Sequence, residues 1–309
     1  MPVLEKKLTV FAPAKVNLHL AVGGRRPDGF HNIESVFLKA DFGDTLHFLP
    51  TDAPNSAEIA MEFAEDAFLA LNPSLNDIPQ EENIIYKAVS LFRSKTGFCH
   101  GLTIKAEKRI PSGGGLGGGS SDAASALLAL NQIAGFPLNF DGLFEMSAAL
   151  GSDVPFFIRE TGAALVTGRG ERVTPLKTPH WFLALVNPGF PSDTACAFSL
   201  LDDYRLKAAA ADAPVRETPL FSARKNAAQR LREKDFADMY NDFLPVFPER
   251  ERTVYNGIIN RLKELGACFA GLSGSGSTCF GVFNEKTQAE NAGAALAKDW
   301  KFVKVCKTL

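Results

Sequence analysis

Pro111-Ser112-Gly113-Gly114-Gly115-Leu116-Gly117-Gly118-Gly119-Ser120-Ser121-Asp122 is the stretch on which the reading of this chain turns. Six glycines around one leucine build no core, because glycine has no side chain to pack and loses the most backbone freedom when it is ordered. Such a loop is needed for its backbone. Free of Cβ atoms, it can pass through left-handed conformations and aim successive N–H groups at one point. The next residues, from Ser120 and Ser121 through Asp122 to Leu130, read as a capped helix whose N-terminus faces the same point. This is the pattern of an anion site, expected here for phosphates.

Gly113, Gly115 and Gly118 meet the spacing G-x-G-x-x-G, but a dinucleotide fold needs a second parallel strand soon after the helix. The chain has Gly135-Phe136-Pro137 there instead, and then a second helical stretch, 140–150. The Walker pattern fails because no lysine follows the glycines in the required register. A flexible linker would be Ser-rich and polar, whereas this loop lies between an apolar strand and an apolar helix. A phosphate cradle of a third type remains.

The chain has 309 residues, long enough for two domains or one large one, and its 46% hydrophobic content is ample for real cores. A formal net charge of −2 gives no global basic field, so nucleic acid is not expected as the main partner and any phosphate chemistry must be local. Cys99, Cys196, Cys268, Cys279 and Cys306 are scattered without C-x-x-C spacing, which argues against a disulfide framework or a zinc site and fits a reducing cytoplasm. Near the start, Pro13, Lys15 and Asn17 interrupt the apolar run too early for a signal peptide. No stretch is long and apolar enough to span a membrane.

From Leu8 the alternation predicts strands broken at Ala12-Pro13-Ala14. Lys15 and Asn17 share one face of that segment, either aimed into a cleft or solvated on a strand surface. A turn-rich loop then leads to Phe30 and His31. Strands are expected at 36–38 and 45–49 either side of a turn at 41–44, and at 57–61. A helix is expected from Asn83 to Phe92, stopped by Gly97, and then a strand at 102–106 feeding Lys108 and Arg109. Asp153 lies between a helix end and the apolar Val154-Pro155-Phe156-Phe157-Ile158; the following proline predicts an extended Val154 and a stiff backbone. Such an acid is often only a cap, and it becomes catalytic with a partner, for which Lys15 is a candidate. Strands are expected at 163–167 and 181–186. The change of composition at 205–225 reads as a mobile insertion or lid. An amphipathic helix at 250–265 precedes a second glycine loop, Ser273-Gly274-Ser275-Gly276-Ser277, set between strands, and a helix at 289–297 and a strand at 302–305 complete the chain.

Three separated motifs stand together: Pro13-Ala14-Lys15-Val16-Asn17-Leu18, the loop 111–122, and residues 273–277. This set resembles the GHMP kinases, ATP-dependent kinases of small molecules, over nearly the whole chain. The resemblance implies an α+β, two-domain fold. Residues 1–172 would form an ATP-binding domain like ribosomal protein S5 domain 2, and residues 173–309 a ferredoxin-like second domain, with the active site between them. Within the family, Asp28-Gly29-Phe30-His31, Leu150-Gly151-Ser152-Asp153-Val154-Pro155, Asn187-Pro188-Gly189 and Asn241-Asp242 resemble the branch that phosphorylates the tertiary 2-hydroxyl of a cytidine-diphosphate-linked methyl polyol on the non-mevalonate route to isoprenoid precursors.

The resemblance assigns roles. Phosphoryl transfer is mainly positioning and charge stabilisation. Asp153 would accept the hydroxyl proton and Lys15 steady the developing charge. Pro111, Ser112, Gly113, Gly114, Gly115, Leu116, Gly117, Gly118, Gly119, Ser120 and Ser121 would cradle the ATP phosphates, with Asn83 and Lys108 near the nucleotide. Ser273, Gly274, Ser275 and Gly276 would face the substrate, and Asn17 would orient its hydroxyls. Phe30 and Phe198 would stack on the cytosine while His31 reads its edge; the family commonly has Tyr where this chain has Phe30, which keeps the stacking face and loses one polar contact. Mg²⁺ would arrive with the nucleotide, since no acidic cluster is set aside for it. The chain would act as a monomer or homodimer. Two other readings are a GHMP kinase of a smaller polyol or amino alcohol, which has no base to stack on Phe30 and Phe198, and a non-catalytic sensor, which would not need both Lys15 and Asp153.

Overall fold

A computed structural model describes residues 7–63, 79–210 and 227–309. In chain order the first elements are β1 (Leu8–Arg25), β2 (His31–Thr51), β3 (Ala57–Phe63), α1 (Ile84–Thr96), β4 (Gly101–Lys108), α2 (Gly118–Ile133), α3 (Phe140–Leu150), α4 (Val154–Ile158), β5 (Ala163–Gly168), β6 (Arg172–Leu176) and β7 (Phe182–Asn187). After them come α5 (Thr194–Ala210), α6 (Ala227–Glu233), α7 (Glu249–Glu264), β8 (Phe269–Leu272), β9 (Cys279–Phe283), α8 (Lys286–Leu296) and β10 (Phe302–Lys307).

The chain groups into two compact units, each assembled from three segments. The first unit holds Met1–Ala14, Phe42–Ser112 and Gly117–Glu160. In it β4 pairs antiparallel with the second half of β2, from Thr45 opposite Glu107 to Thr51 opposite Gly101, and parallel with β3. Helices α1 to α4 pack on one another. Helix α2 is buried on most of its circumference by Ala123, Ala124, Ala126, Leu127, Ala129 and Leu130. Its alanines leave room for neighbours on several sides at no cost in helix propensity.

The second unit holds Lys15–Asp41, Gly113–Leu116 and Thr161–Leu309. Here the first half of β2 pairs antiparallel with β5, and β5 with β6. A separate antiparallel sheet runs β10-β7-β9-β8. Tyr255, Ile258 and Leu262 on α7 and Ala289, Ala292 and Leu296 on α8 share one core with Val186, Leu272, Cys279 and Phe283 of that sheet. All five cysteines are free thiols. Among the described residues no helix is long and apolar enough to cross a membrane.

Several local expectations are corrected. β1 runs unbroken through Ala12-Pro13-Ala14, and β2 runs unbroken through residues 41–44, where a turn was expected. The reason lies in tertiary packing: β1 and β2 meet so closely there that a Cβ on Gly43 would come 2.2 Å from the Ala12 carbonyl oxygen. Asp44 is accordingly buried. Val154 is helical rather than extended, in the first turn of α4, which buries all five of its residues. Strand β6 and helices α5 and α6 have weak periodicity and were not expected. Residues 205–210, read as the start of a lid, are the end of α5; 211–225 lie outside the described residues.

Candidate active site

Gly113, Gly115 and Gly117 take φ of 65°, 72° and 71°, the left-handed region where a side chain is strained. Space alone also demands glycine at 115, since a Cβ there would lie 2.1 Å from the carbonyl oxygen of Ser273 and 2.8 Å from that of Gly276. The four carbonyls of residues 113–116 all accept hydrogen bonds. Gly113 accepts from the N–H of Ser192 (2.9 Å) and Ser277 (3.3 Å), Gly114 from the N–H of Thr278 (3.1 Å), and Leu116 from the N–H of Lys15 (2.9 Å). The Ser273 hydroxyl donates to the Gly115 carbonyl at 2.8 Å. None of the four N–H groups donates to another described residue. The loop therefore turns its acceptors inward and keeps its donors for something else. Helix α2 starts at Gly118 behind Gly117, so Ser120 and Ser121, expected as caps, lie in its first turn.

The second glycine loop is held from three sides. Asn241 donates to the carbonyls of Leu272 (2.9 Å) and Gly274 (2.8 Å). Asn187 donates to the hydroxyls of Ser277 and Thr278, both at 3.1 Å, and accepts from the Gly189 N–H at 2.9 Å. Ser192 donates to the Ser275 carbonyl (2.6 Å), and Thr194 lies 2.9 Å from the Ser275 hydroxyl. Gly274 and Gly276 have φ of 57° and 86°. Asn187 and Asn241 belonged to quoted motifs, and the structure gives them the work of shaping this loop.

Lys15 and Asn17 are both 4% exposed, so the solvated-face reading fails. The Lys15 ammonium donates to Asn17 Oδ1 at 2.5 Å and sits 4.6 Å from the centre of the Phe37 ring. Asn17 Nδ2 donates to the Ser35 hydroxyl at 2.9 Å, and the Asn17 N–H to the Ser273 hydroxyl at 3.3 Å. A buried ammonium with an amide and a ring as neighbours is a preorganised positive charge.

At the entry to the first loop Lys108 ion-pairs with both Asp44 and Asp122. Asp44 also accepts from the N–H groups of Arg109 (2.5 Å) and Ile110 (2.8 Å). The cluster ties the end of β4 to α2. Burial opposes the Lys108 charge, but Asp122 and Asp44 outweigh it and hold the ammonium above its ordinary range. The Asp122 carboxyl is raised to about 7, because burial, helped by Asp44, outweighs the downward pull of Lys108. Asn83, placed near the nucleotide by resemblance, caps α1, its Oδ1 accepting from the Ile85 N–H at 2.9 Å.

Asp153 stands at the N-cap position of α4, yet its side chain makes no capping hydrogen bond, so the structural role weighed from the sequence is not the one it plays. Asp153 belongs to the first unit; Lys15, Asn17, Phe30, His31, Phe198 and Ser273 to Gly276 belong to the second.

His31 lies nearly parallel to Phe198, centroids 4.8 Å apart at 20°, and Phe198 meets Phe243 edge-on at 4.9 Å. Phe30 is 50% exposed, with the Arg169 guanidinium 4.8 Å from its ring centre. His31 Nε2 lies 2.9 Å from Asp202 Oδ1, a residue that sequence reasoning missed. Its signal would have been the i, i+4 spacing of Phe198 and Asp202, legible only once α5 is known to be a helix.

A buried lysine, a glycine loop, an acid and a second glycine loop, in that order along the chain, define a class, and comparison with known proteins agrees. Residues 83–161 match the family model for the GHMP kinases N terminal domain, and residues 223–301 that for the GHMP kinases C terminal. A 4-diphosphocytidyl-2-C-methyl-D-erythritol kinase of Treponema pallidum is 36% identical over 298 residues, 96% of each chain. One of Xanthomonas oryzae is 35% identical over 285 residues, 92% of this chain and 85% of its own. A crystal structure of 4-(cytidine 5'-diphospho)-2C-methyl-D-erythritol kinase superposes with a TM-score of 0.74 at 28% identity, covering 97% of this chain and 99% of that one. Homoserine kinase of Cytophaga hutchinsonii, 17% identical with a TM-score of 0.63 over 100% of this chain and 96% of its own, shares the fold. The chain belongs to the GHMP kinases, in the family of 4-diphosphocytidyl-2-C-methyl-D-erythritol kinases. As a GHMP kinase it takes its phosphoryl group from ATP.

Proposed function

We propose that this chain transfers the γ-phosphoryl group of ATP to the 2-hydroxyl of 4-diphosphocytidyl-2-C-methyl-D-erythritol, on the non-mevalonate route to isoprenoid precursors. The observation that carries the phosphate side is the loop 113–116, whose carbonyls are all engaged while its N–H groups keep no acceptor among the described residues. Backbone donors fixed in this way bind phosphate oxygens without reorganising during the reaction. Lys108 holds the base of that loop through Asp44 and Asp122, and Asn83 fixes the start of α1 beside the nucleotide. Residues 1–172 serve as the ATP-binding domain and 173–309 as the second domain.

In this reading the substrate hydroxyl oxygen attacks the γ-phosphorus, the bond from that phosphorus to the β,γ-bridging oxygen breaks, and ADP leaves. The hydroxyl proton passes to the Asp153 carboxylate. Lys15, held by Asn17 and Phe37, offsets the charge that builds on the transferring group. Asn17 and the loop 273–276 orient the polyol. Mg²⁺ would arrive with the phosphates and would supply charge neutralisation there. Ser121 Oγ, buried without a hydrogen-bond partner among the described residues, is the loop oxygen suited to it, while Lys108 occupies Asp44 and Asp122. Phe30, His31 and Phe198 take the cytosine; a cluster of aromatic rings, for which a smaller polyol has no use, supports this substrate.

The test is ATP turnover with the cytidylated compound against bare 2-C-methyl-D-erythritol 4-phosphate, in wild type and Asp153→Asn. Turnover of the cytidylated compound alone is expected, with kcat about 10³-fold lower in Asp153→Asn and ligand binding kept. Equal turnover of both compounds would sink the base-reading role. An active Asp153→Asn would sink the proton-acceptor role.

A further inference from the structure

Helix α5 grips the hairpin that carries His31. Phe198, Asp202 and Arg205 recur at i, i+4 and i+7 on one helical face. Arg205 donates to the carbonyls of Val22 (2.5 Å) and Gly23 (2.9 Å) and lies 3.5 Å from Asp242, whose carboxylate accepts from the Val22 N–H at 2.8 Å. Phe198 covers one face of the His31 ring, and Asp202 meets its Nε2 edge. The imidazole is thus held against rotation by a stack and against translation by an anchored helix.

We propose that Asp202 is a positioning residue that sets which nitrogen of His31 is offered to the nucleobase, and thereby the choice of cytosine over uracil. This rests on the reading of Phe30, His31 and Phe198 as the base site. An ionised carboxylate is acceptor-only, so Nε2 must carry the proton that fills the 2.9 Å contact with Asp202. In the neutral ring Nδ1 is then a bare lone pair, and among the described residues it has no hydrogen-bond partner. A lone pair accepts from the exocyclic amino group of cytosine. Uracil presents a carbonyl oxygen at that position, so two acceptors face each other and the pair is rejected. A site that leaves a buried polar group unpaired with the wrong ligand discriminates far better than an apolar one. Without Asp202 the ring can place its proton on either nitrogen, and the donor form accepts uracil.

The experiment compares CDP and UDP binding by titration calorimetry for wild type, Asp202→Asn and Asp202→Ala. It also follows the imidazole by ¹⁵N NMR with histidine label and reads steady-state turnover with the cytidylated substrate. Wild type should prefer CDP and show the Nε2–H form. Both variants should lose about tenfold of the CDP/UDP ratio, move toward mixed tautomers and raise KM, with kcat within twofold of wild type. Asp202 is 28% exposed at its side chain, so the isosteric Asn is expected to leave the melting temperature unchanged, which a thermal melt checks. Wild-type preference for CDP that survives in both variants overturns the role of Asp202 alone. Absence of any CDP preference in wild type overturns the base-site reading and this proposal with it.

Discussion

Replacing Gly115 with alanine separates two costs that glycine loops usually confound. Gly115 and Gly97 have the same φ, 72°, but an added Cβ at Gly97 meets nothing within 4 Å, whereas at Gly115 it comes 2.1 Å from the Ser273 carbonyl oxygen. Gly97→Ala therefore measures left-handed strain alone, about 1–2 kcal/mol. Gly115→Ala adds the collision. An ordinary carbon–oxygen contact is over 3 Å, so one glycine loop must recede from the other by about 1 Å. The bonds at stake are Ser273 Oγ to Gly115 (2.8 Å), Thr278 N–H to Gly114 (3.1 Å) and Lys15 N–H to Leu116 (2.9 Å). Loss of two of them at about 1 kcal/mol each brings the total to about 3–4 kcal/mol. Urea unfolding followed by fluorescence of the buried Trp181 reads the stability, and ATP titration reads the cradle. Gly115→Ala should fall about 2 kcal/mol below Gly97→Ala and bind ATP at least tenfold more weakly, while Gly97→Ala binds ATP as wild type does. Equal stability of the two variants, with ATP binding kept, would refute the argument that close backbone approach makes this loop.

The cluster at Asp122 carries a pH signature. Its carboxyl is raised from the ordinary range to about 7, chiefly by burial, so the contribution to stability is full below the ordinary carboxylate range and is lost as pH rises through about 7. Asp122→Asn, which cannot ionise, should flatten the stability profile between pH 4 and 8, as read by urea midpoints; an unchanged slope would refute the assignment. Phe30 is half exposed and packs on Arg169, so Phe30→Ala should leave the melting temperature within about 2 °C. The same variant should raise KM for the cytidylated substrate about tenfold at unchanged kcat, the value of one stacked base. Unchanged KM would remove Phe30 from the base site.

Much of the site was legible because its chemistry is written in residue type. Glycines at 113, 115 and 117 announce left-handed backbone, and the structure gives them φ of 65–72°. The helix at α1 was readable from its apolar spacing, the Asn83 cap and Gly97 at its end, all of which are local. What was lost was lost to tertiary contact. Pro13 and the residues 41–44 carry turn signals, but the close approach of Ala12 and Gly43 keeps both strands unbroken there. Helix α5 has almost no amphipathic pattern, because it sends only Ala197 and Leu201 fully into the core and uses Phe198, Asp202 and Arg205 to hold a hairpin.

The sequence by itself thus determined the kind of chemistry, since backbone donors, a lysine and an acid are properties of residues and their spacing. Only the tertiary structure decided how the groups are held. Lys15 and Asn17 share a strand face whether that face is wet or dry, and it is Phe37, twenty-two residues beyond Lys15, and Ser35, eighteen beyond Asn17, that make it a buried charge. Lys108 reads from the sequence only as a cation near the nucleotide; its partners Asp44 and Asp122 are brought to it from sixty-four residues before and fourteen after. Asp202 has no meaning until a helix turns it toward His31, 171 residues away. Spacing along the chain records what a residue can do; which groups share its surroundings is fixed by contacts across the fold.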